Sequence, residues 1–357
     1  MTEIEQRRRD VAGRLAELKI DALLVTSPAN VRYLSGYTGS NGILLLLPGE
    51  THFFTDPRYA IVSKSIPGKS HVVKGPLTAG VAKVIKRKRL RKIGFESAWT
   101  HYEDYDKLKE ALPLGASLAP VGRIVEERRM LKSAEEISLI RSSVRINSEA
   151  FARVLKRLRP GVTERDVAAE IDFQQKMQGA EKSSFDTIVA AGARSALPHA
   201  HPSAHRIGAN ELVLIDMGAF LDGYASDMTR VVHMGSPPKK IRNMYRAVLE
   251  AQLAGIAAVR AGTTAGNVDA ATRQVLKQHN LHREFVHSTG HGLGLEIHEM
   301  PRVGKKDKTR LEEGMAMTIE PGVYVEGLAG IRIEDTVLVT RNGCEVLTPT
   351  SKDFIQV

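Results

Sequence analysis

The chain has 357 residues, a formal net charge of +10 and a single cysteine, Cys344. A hydrophobic content of 42% and a charged content of 26% are typical of a folded globular protein with room for two domains, and one cysteine excludes a disulfide framework within the chain. The first residues are charged rather than apolar, and no apolar run approaches the ~18 residues of a membrane span. We therefore expect no signal peptide, no membrane contact and a cytoplasmic location.

The first third of the chain alternates between helical and strand patterns, which predicts an α/β domain. A polar-faced helix is expected near Ile4–Leu18. Short strands are predicted at residues 22–25, 43–47, 52–55, 71–73 and 92–95. This part of the sequence contains no cluster of metal-ligand residues, so we look for a functional site further along the chain.

The densest run of positive charge lies in the same domain, in residues 86–92. Such a run could belong to a nucleic-acid-binding patch, but no aromatic side chain is interleaved with it. We therefore favour a solvated helix end, and nucleic acid is not an expected partner.

A domain boundary is expected between residues 120 and 133, which gives domains of residues 1–125 and 126–357. Just after this boundary, Ser133 is followed three positions later by Glu136. This spacing predicts a capping box, in which each side chain binds the main-chain N–H of the other residue. The second domain is therefore expected to begin with a helix.

That helix carries apolar residues at helical spacing as far as Leu158 and is expected to end at Pro160–Gly161. Thr163 then begins a second helix. The connection recurs 101 residues further on, since Arg159–Thr163 matches Arg260–Thr264. We therefore expect a duplicated helix-helix-strand-strand unit with pseudo-two-fold symmetry.

Both copies continue into strands with the same acidic pattern. In each copy, an apolar run ends in Ile followed by an acidic residue, and a Gly comes two positions after that acid. A second acidic residue then follows another Gly. The acids are Asp216 and Asp227 in the first copy and Glu320 and Glu334 in the second. Four buried carboxylates at one point cannot all ionise without cations between them, so this pattern predicts a metal centre.

A segment rich in histidine and glycine, residues 287–299, precedes the second acidic pair. Its glycines disfavour a helix, so His287 and His291 do not form a helical zinc pair, and the HExxH motif is absent. The glycine spacing only weakly resembles a dinucleotide-binding loop, because the strand-turn-helix context is missing. We interpret the glycines as points of close backbone approach. A histidine nitrogen beside carboxylates suits Mn²⁺, Co²⁺ or Zn²⁺.

Together these residues resemble the pita-bread metallopeptidases, which include aminopeptidase P, prolidase and methionine aminopeptidase. The resemblance covers residues 125–350 in detail and continues at Asn30–Ser40 and Phe54–Tyr59. It implies an α/β (α+β) fold class, with an N-terminal creatinase-like α/β domain followed by a C-terminal pseudo-two-fold pita-bread domain. It also implies a dinuclear site with two divalent ions, Mn²⁺ being favoured over Co²⁺ and Zn²⁺. The implied metal ligands are Asp216, Asp227, His291, Glu320 and Glu334.

The same resemblance implies that His199, His287, His298 and Arg332 bind the substrate. The three histidines would also act in catalysis together with Glu320, which would move a proton from water to the leaving nitrogen. His287 and His298 would hydrogen-bond the substrate carbonyl or the tetrahedral oxyanion. Two alternatives stay open: His199 is only solvated, and Arg332 only pairs with a ligand carboxylate.

Other residues near the acids refine this resemblance. Arg230 and Arg332 resemble the proline-specific branch of the family, and Asp335 stands where methionine aminopeptidases have histidine. Thr229 and Thr336, each two residues after an acid, are expected to orient carboxylate ligands. The sequence therefore points to proline-containing peptides as substrates.

We expect a proline-specific exopeptidase that hydrolyses the bond before a proline at the second position of a peptide. An Xaa-Pro aminopeptidase is favoured, and an Xaa-Pro dipeptidase (prolidase) restricted to dipeptides is the alternative. A metal-free creatinase-like hydrolase and a non-catalytic pita-bread binding module are disfavoured by the intact ligand set. A homodimer is expected.

Overall fold

The computed structural model describes residues 2–357, which divide into two compact units, one ending at Arg129 and one spanning Met130–Val357. The domain ranges 1–125 and 126–357 remain a prediction. Within the described residues, no helix combines the length and the apolar character needed to cross a membrane.

Within residues 2–129, α-helices and strands alternate along the chain. They are α1 (Glu3–Gly13), β1 (Ala22–Val25), α2 (Pro28–Ser35), β2 (Gly42–Leu47), β3 (Glu50–Thr55), β4 (Lys69–Val72), α3 (Leu77–Lys88), β5 (Lys92–Glu96), α4 (Tyr102–Ala111), β6 (Ser117–Val121) and α5 (Ile124–Arg129). The strands form one mixed sheet in the order β4-β3-β2-β1-β5-β6, in which β1 pairs antiparallel with β2 and parallel with β5. The predicted α/β character of this part is confirmed.

The first helix ends earlier than its sequence pattern predicted. It stops at Gly13, and Lys19 takes a left-handed conformation with φ of 53°. The N–H of Ile20 donates to the carbonyl of Leu15 at 3.1 Å, and Leu15 is fully buried. The apolar residues that suggested a longer helix therefore reach the core from a turn.

The basic run of residues 86–92 begins in the last turn of α3, as predicted. Arg89 ends the helix in a left-handed conformation, and its N–H donates to the carbonyls of Ile85 and Lys86. The side chains of residues 86–89 are exposed. Cations at a helix C-terminus interact favourably with its dipole.

The second unit contains two pairs of helices, each followed by strands. The helices are α6 (Ala134–Leu155), α7 (Glu164–Met177), α8 (Lys239–Ala258) and α9 (Ala265–Gln278). The strands are β7 (Lys182–Ser183), β8 (Ile188–Ala191), β9 (Leu212–Met217), β10 (Ala219–Leu221), β11 (Tyr224–Ala225), β12 (Met228–His233), β13 (Gly290–Gly292), β14 (Glu299–Val303), β15 (Ala316–Ile319), β16 (Gly322–Val325), β17 (Ala329–Arg332), β18 (Asp335–Val339), β19 (Cys344–Val346) and β20 (Ile355–Gln356). The two larger sheets have the orders β20-β12-β9-β8 and β14-β13-β15-β18-β19.

The predicted duplication is confirmed down to individual hydrogen bonds. Thr163 and Thr264 cap α7 and α9 through their hydroxyl groups. Thr163 forms an isolated β-bridge with Arg206, and Thr264 forms one with Arg310. Each arginine also donates to the carbonyl of the glycine two residues before its threonine, at 2.8 and 3.1 Å respectively. The two copies therefore fold in the same way around the helix connection.

The first helix of the second unit begins as predicted and ends slightly early. Ser133 and Glu136 form the capping box at the start of α6. The helix ends at Leu155 instead of continuing to Leu158. The chain then turns, and the N–H of Leu158 donates to the carbonyls of both Val154 and Leu155. Leu158 remains buried in the core despite lying outside the helix.

Strand alternation sets the direction of the first acid of each hairpin. In β9, the odd-numbered residues pack with α6 and α7, and Leu214 packs with α8. Because successive side chains point to opposite faces of a strand, Asp216 lies on the α8 side. In β15, Met317 and Ile319 pack in the core of the other sheet, so Glu320 lies on the face opposite that core.

The substitution Ser133→Ala tests the predicted cap of α6. It should lower the free energy of unfolding by about 1 kcal/mol, because the N–H of Glu136 loses its hydroxyl acceptor. Chemical denaturation followed by circular dichroism measures the change. Ser138→Ala, at an exposed position of the same helix, is the control and should change the value by less than about 0.5 kcal/mol. Equal effects would contradict a stabilising cap.

Candidate metal centre

The four acids lie at the same end of two strand hairpins. Asp216 lies in the last part of β9 opposite Thr229, and Asp227 directly precedes β12. Glu320 directly follows β15, and Glu334 directly precedes β18, the strand that pairs with β15. Each hairpin therefore contributes one acid from each of its strands.

One histidine joins the acids. The Nε2 atom of His291 lies 3.3 Å from Oε1 of Glu320 and 3.5 Å from Oδ2 of Asp227. Potential ligand atoms of Asp227, His291 and Glu334 all lie within 4.8 Å of one another. Asp216 is close enough to raise the pKa of Asp227. The structure thus brings together all five residues that the sequence predicts as metal ligands.

The orientation of His291 leaves one ring nitrogen for a ligand. Its Nδ1 lies 3.0 Å from the carbonyl oxygen of Gly292, which can only accept, so Nδ1 carries the hydrogen. The other ring nitrogen, Nε2, therefore faces the acids. Metal-binding histidines commonly have this arrangement, with the second nitrogen held by a carbonyl.

The glycines beside His291 allow the neighbouring strands to approach closely. A Cβ atom on Gly290 would lie 2.0 Å from the carbonyl oxygen of Thr318, and one on Gly292 would lie 2.1 Å from that of Met300. Both contacts are far too short for any side chain. The prediction that these glycines mark close backbone approach, and not a helix, is confirmed.

The acids carry an unbalanced charge. Burial raises the pKa of both Asp227 and Glu334 well above its usual value, and the neighbouring carboxylates raise it further. Oδ1 of Asp216, Oδ1 of Asp227 and Oε1 of Glu334 are buried without a hydrogen-bond partner in the described part of the chain. Unpaired buried acceptors are costly unless a cation neutralises them. Free carboxylate oxygens beside an imidazole nitrogen form a donor set that fits divalent metal ions.

Two threonines link the hairpins to each other. The hydroxyl of Thr229 donates to Oε2 of Glu334 at 2.7 Å, which orients that carboxylate as predicted. The hydroxyl of Thr336 donates to the main-chain carbonyl of Asp227 at 3.1 Å. The prediction that Thr336 orients a carboxylate was therefore wrong, because the carbonyl of Asp227, not its side chain, faces the hydroxyl.

Arg230 crosses from the first hairpin to the second. Its side chain is buried, and it donates to the main-chain oxygen of Glu334 at 2.5 Å and to Oδ1 of Asp335 at 2.7 Å. It also donates to the carbonyls of Thr350 and Ser351, shortly before β20 pairs with β12. Arg230 therefore fixes the main chain beside Glu334, and the segment around β20 completes its surroundings.

Arg332 binds one of the predicted metal ligands. Its Nη2 donates to Oδ2 of Asp216 at 2.5 Å, and its Nε donates to the hydroxyl of Thr229 at 3.0 Å. Its Nη1 donates to the hydroxyl of Tyr324. The guanidinium is buried and engaged on all sides, so the structure shows Arg332 as the partner of the Asp216 carboxylate. Its contact with substrate remains a prediction.

Both ring nitrogens of His287 are engaged. Nδ1 lies 2.8 Å from the Ser288 carbonyl and must donate to it. Nε2 lies 2.9 Å from the hydroxyl of Tyr324, and burial lowers the pKa of His287, which favours the neutral ring. Tyr324 therefore donates to Nε2, and His287 offers no N–H to a substrate in this arrangement. The predicted hydrogen bond from His287 to a substrate carbonyl therefore requires the hydrogen bond between His287 and Tyr324 to break.

His298 and His199 are exposed beside the centre and have free ring nitrogens. The ring of His298 lies edge-to-face against that of His291, with centroids 4.4 Å apart, and burial of part of the ring lowers its pKa. His199 lies close enough to help lower the pKa of both His287 and His298. Neither ring forms a hydrogen bond with another residue in the described chain, so both can contact a ligand.

Sequence reasoning missed Tyr324, which links Arg332 and His287. Burial raises its pKa to about 12, so the hydroxyl remains protonated and can donate. Gly322 pairs with Arg332 across β16 and β17, and the two-residue period of a strand puts Tyr324 on the same face. A Cβ on Gly322 would lie 2.4 Å from the Tyr324 hydroxyl. The alternation of side chains along the strand can be predicted from the sequence, but the register between β16 and β17 cannot.

The paired hairpins hold unpartnered carboxylate oxygens around an imidazole, which is an arrangement that fits divalent metal ions. Residues 138–341 match metallopeptidase family M24, and residues 7–131 match the Creatinase/Prolidase N-terminal domain. The chain belongs to metallopeptidase family M24. It is a metal-dependent peptidase with a creatinase-like domain followed by a pita-bread domain, which confirms the predicted family, fold class and enzyme class.

The chain is similar over its whole length to individual peptidases. It is 36% identical to the Xaa-Pro dipeptidase of Pyrococcus furiosus, over 99% of this chain and 100% of that protein. The structure of an Xaa-Pro dipeptidase from Bacillus anthracis has a TM-score of 0.96 and 39% identity, covering 99% of this chain and 100% of that one. The X-Pro aminopeptidase structure from Thermotoga maritima has a TM-score of 0.89 and 33% identity, covering 96% and 100%.

Divalent metal should stabilise the protein, because only the folded chain assembles the five donors. At a hundredfold excess over its Kd, a metal that binds only the folded state adds about 2.7 kcal/mol to the free energy of unfolding. Thermal unfolding of chelator-treated protein with and without Mn²⁺ measures this effect. Asp227→Asn should lose most of the stabilisation, whereas Asp104→Asn, at an exposed position of α4, should retain it. Full stabilisation of Asp227→Asn by Mn²⁺ would contradict its assignment as a ligand.

Proposed function

We propose that this chain is an Xaa-Pro dipeptidase, which hydrolyses the peptide bond before proline in dipeptides. The observation that carries the proposal is the similarity over the full length of both chains to the Xaa-Pro dipeptidase of P. furiosus. The sequence pattern alone favoured an Xaa-Pro aminopeptidase. That enzyme is the second candidate, because the T. maritima aminopeptidase is also similar along nearly the whole chain.

The proposed metal site consists of the five residues that meet between the two hairpins. They are Asp216, Asp227, His291, Glu320 and Glu334. A set of four carboxylates with one imidazole favours Mn²⁺, because carboxylates suit harder ions and zinc sites use more nitrogen and sulfur. Two divalent ions held there would lower the pKa of water and polarise the scissile carbonyl.

Glu320 is proposed to move the proton during hydrolysis. Its Oε1 accepts a hydrogen bond from the Thr318 hydroxyl at 3.1 Å, while Oε2 has no partner in the described chain. Glu320 would take a proton from the attacking water and deliver it to the proline nitrogen as the C–N bond breaks. The leaving nitrogen needs this proton because an amine leaves far more readily than an amide anion.

The exposed histidines are proposed to hold the peptide. His298 has an unengaged ring beside His291, so its N–H can donate to the scissile carbonyl and to the oxyanion that forms from it. His199, which lies near His287 and His298, is also proposed to bind the substrate. His287 and Arg332 would act from the interior, since Tyr324 joins them and Arg332 holds Asp216 in place.

The remaining expectations about partners rest on the sequence. We propose a homodimer, a cytoplasmic location and no nucleic-acid partner. The exposed basic end of α3 supports the last point, because its charges are accounted for by the helix terminus. Size-exclusion chromatography with light scattering would determine the oligomeric state.

Side-by-side assays distinguish the two candidate enzymes. The Mn²⁺-loaded protein should hydrolyse an Xaa-Pro dipeptide with a kcat/KM at least about tenfold above that for an Xaa-Pro-Xaa-Xaa tetrapeptide, because a dipeptidase must reject chain beyond the proline. Chromatography of the products measures both rates. Equal or faster cleavage of the tetrapeptide would establish the aminopeptidase instead. Absence of cleavage of both substrates by protein with confirmed metal content would refute both candidates.

Glu320→Gln tests the proton step. The variant should lose at least about 100-fold in kcat, because general acid-base catalysis typically contributes that much. Glu313→Gln, at an exposed position shortly before β15, should retain the activity of the unmodified protein. Elemental analysis of both variants separates loss of metal from loss of proton transfer. Near-normal turnover by Glu320→Gln would rule out the proposed role.

A further inference from the structure

The carboxylate of Glu164, the first residue of α7, is fully buried and is not one of the proposed metal ligands. Its Oε1 accepts the N–H of Ala191 at 2.8 Å, and its Oε2 accepts the N–H and the hydroxyl of Ser203, at 2.8 and 2.7 Å. Arg194 donates Nε to both oxygens at 3.1 Å and Nη2 to the carbonyl of His201 at 2.9 Å. Burial raises the pKa of Glu164, but these hydrogen bonds outweigh burial and hold the pKa below its usual value. Both oxygens of this anion are therefore engaged.

The donors to Glu164 lie at the two ends of one chain segment. We call residues 192–203 the His199 loop, because the exposed side chain of His199 belongs to it. Ala191 ends β8 immediately before this loop, and Ser203 is its last residue. A single carboxylate therefore joins both ends of the segment that carries a proposed substrate-binding histidine.

The middle of the same loop is held from β17. The hydroxyl of Ser195 accepts the N–H of Gly330 at 2.8 Å. A Cβ on Gly330 would lie 2.0 Å from the carbonyl oxygen of Ser195, so the two stretches of chain are in close contact. Arg332 donates Nη1 to the carbonyl of Pro198 at 3.4 Å, and its Nη2 binds Asp216. The middle of the loop is thus placed relative to a proposed metal ligand, and its ends are placed by the buried carboxylate.

The duplication shows what the carboxylate is not needed for. Glu164 and Ala265 occupy the same place in the two copies, each directly after the threonine that caps its helix. Both helix starts form the same two main-chain hydrogen bonds. The bonds run from the N–H groups of Glu164, Arg165, Ala265 and Gly266 to the carbonyls of His205, Ser203, Thr309 and Asp307 respectively, at 3.0 to 3.2 Å. Since the second copy forms them with a fully buried alanine, the shared fold does not require an acid here.

The chain that leads to these carbonyls differs between the two copies. In the second copy it includes β14, which is held by antiparallel pairing with β13. In the first copy it is the His199 loop, whose residues contain a 3-10 turn at Gly192–Ala196 and no strand. Hydrogen bonds to an ionised acceptor are stronger than those between neutral groups. The carboxylate of Glu164 therefore supports this loop where strand pairing supports the second copy.

We propose that Glu164 is a positioning residue for substrate binding, which holds the His199 loop so that His199 meets the peptide. Its own carboxylate contacts no peptide, because both oxygens are engaged in the interior. A loop that is fixed before the peptide arrives reduces the entropy lost on binding. The inference rests on the proposed function of the chain and on the proposed contact of His199 with the substrate.

Steady-state kinetics of the Mn²⁺-loaded protein, on the proline peptide that it cleaves best, test the proposal. Glu164→Gln keeps the size of the side chain but turns an amide N–H towards buried donors. The KM should rise at least about tenfold, because buried main-chain donors lose their acceptor and the loop shifts. The kcat should change by less than about threefold, since the metal ligands are unaltered. Elemental analysis should show the same Mn²⁺ content as in the unmodified protein.

A matched variant controls for the change at the start of α7. Asp166→Asn is the same exchange of an acid for its amide, at an exposed position of the same helical turn. It should leave the KM within about twofold, as surface substitutions usually have small effects. Equal increases in KM for Asp166→Asn and Glu164→Gln would overturn the proposal in favour of a general effect of the helix start.

A double-mutant cycle separates positioning from a general structural role. His199→Ala alone should also raise the KM. Adding Glu164→Gln to His199→Ala should raise the KM by less than about twofold more, because the two residues act through one contact with the substrate. Losses that multiply would overturn the proposal, and so would an unchanged KM in either single variant.

Arg194→Gln gives a second test if Glu164→Gln does not fold. It removes a partly exposed guanidinium and leaves the carboxylate its other donors. The KM should rise at least about threefold, and this rise should disappear in the His199→Ala background; a rise that persists there would contradict the positioning role. The unmodified protein tests the proposed function separately. If it cleaves no proline peptide, that function fails together with this inference, whereas normal cleavage with an unchanged KM in the variants refutes the positioning role alone.

Discussion

The second unit is organised around the electrostatic problem of holding four carboxylates in a buried space. Mutual repulsion and desolvation oppose their ionisation, and both raise the pKa of Asp227 and Glu334. Hydrogen-bond donors and arginine side chains around the carboxylates reduce this cost. Thr229 and Arg332 bind carboxylates directly, and Arg230 fixes the main chain beside Glu334. The three oxygens left without partners are then available for metal ions, and bound cations would relieve the repulsion between the carboxylates.

Duplication explains how such a site can be assembled and why it is not symmetrical. The first copy places Ala190 of β8 opposite Leu214 of β9. In the second copy, His291 of β13 donates its N–H to Thr318 of β15, and both strand positions follow their first-copy counterparts at the spacing of the repeat. A histidine therefore occupies the place of an alanine. This one difference places an imidazole nitrogen on only one side of the four acids.

Local sequence patterns predicted much of the fold and of the candidate site, because these features depend on residues that are close together in the chain. Ser133 and Glu136 needed only their spacing to predict a cap, and the acids followed apolar runs whose alternation placed them. The predictions failed where contacts between residues far apart in the chain determine the structure. The end of α1 depends on how Leu15 enters the core, and Thr336 bonds a carbonyl more than a hundred residues away. Tyr324 was missed because its bond with Arg332 depends on the register of β16 and β17, and its bond with His287 joins residues 37 positions apart.

The contacts of Arg230 have a consequence for the order in which the protein matures. This side chain lies in β12, yet its surroundings are completed by the carbonyls of Thr350 and Ser351 and by the pairing of β20 with the same strand. A growing chain exposes β12 long before those residues are made. Since domains fold as units during synthesis, the main chain beside Glu334 becomes fixed only when translation has passed β20. The surroundings of the proposed metal site are therefore complete only after the whole second unit has been synthesised.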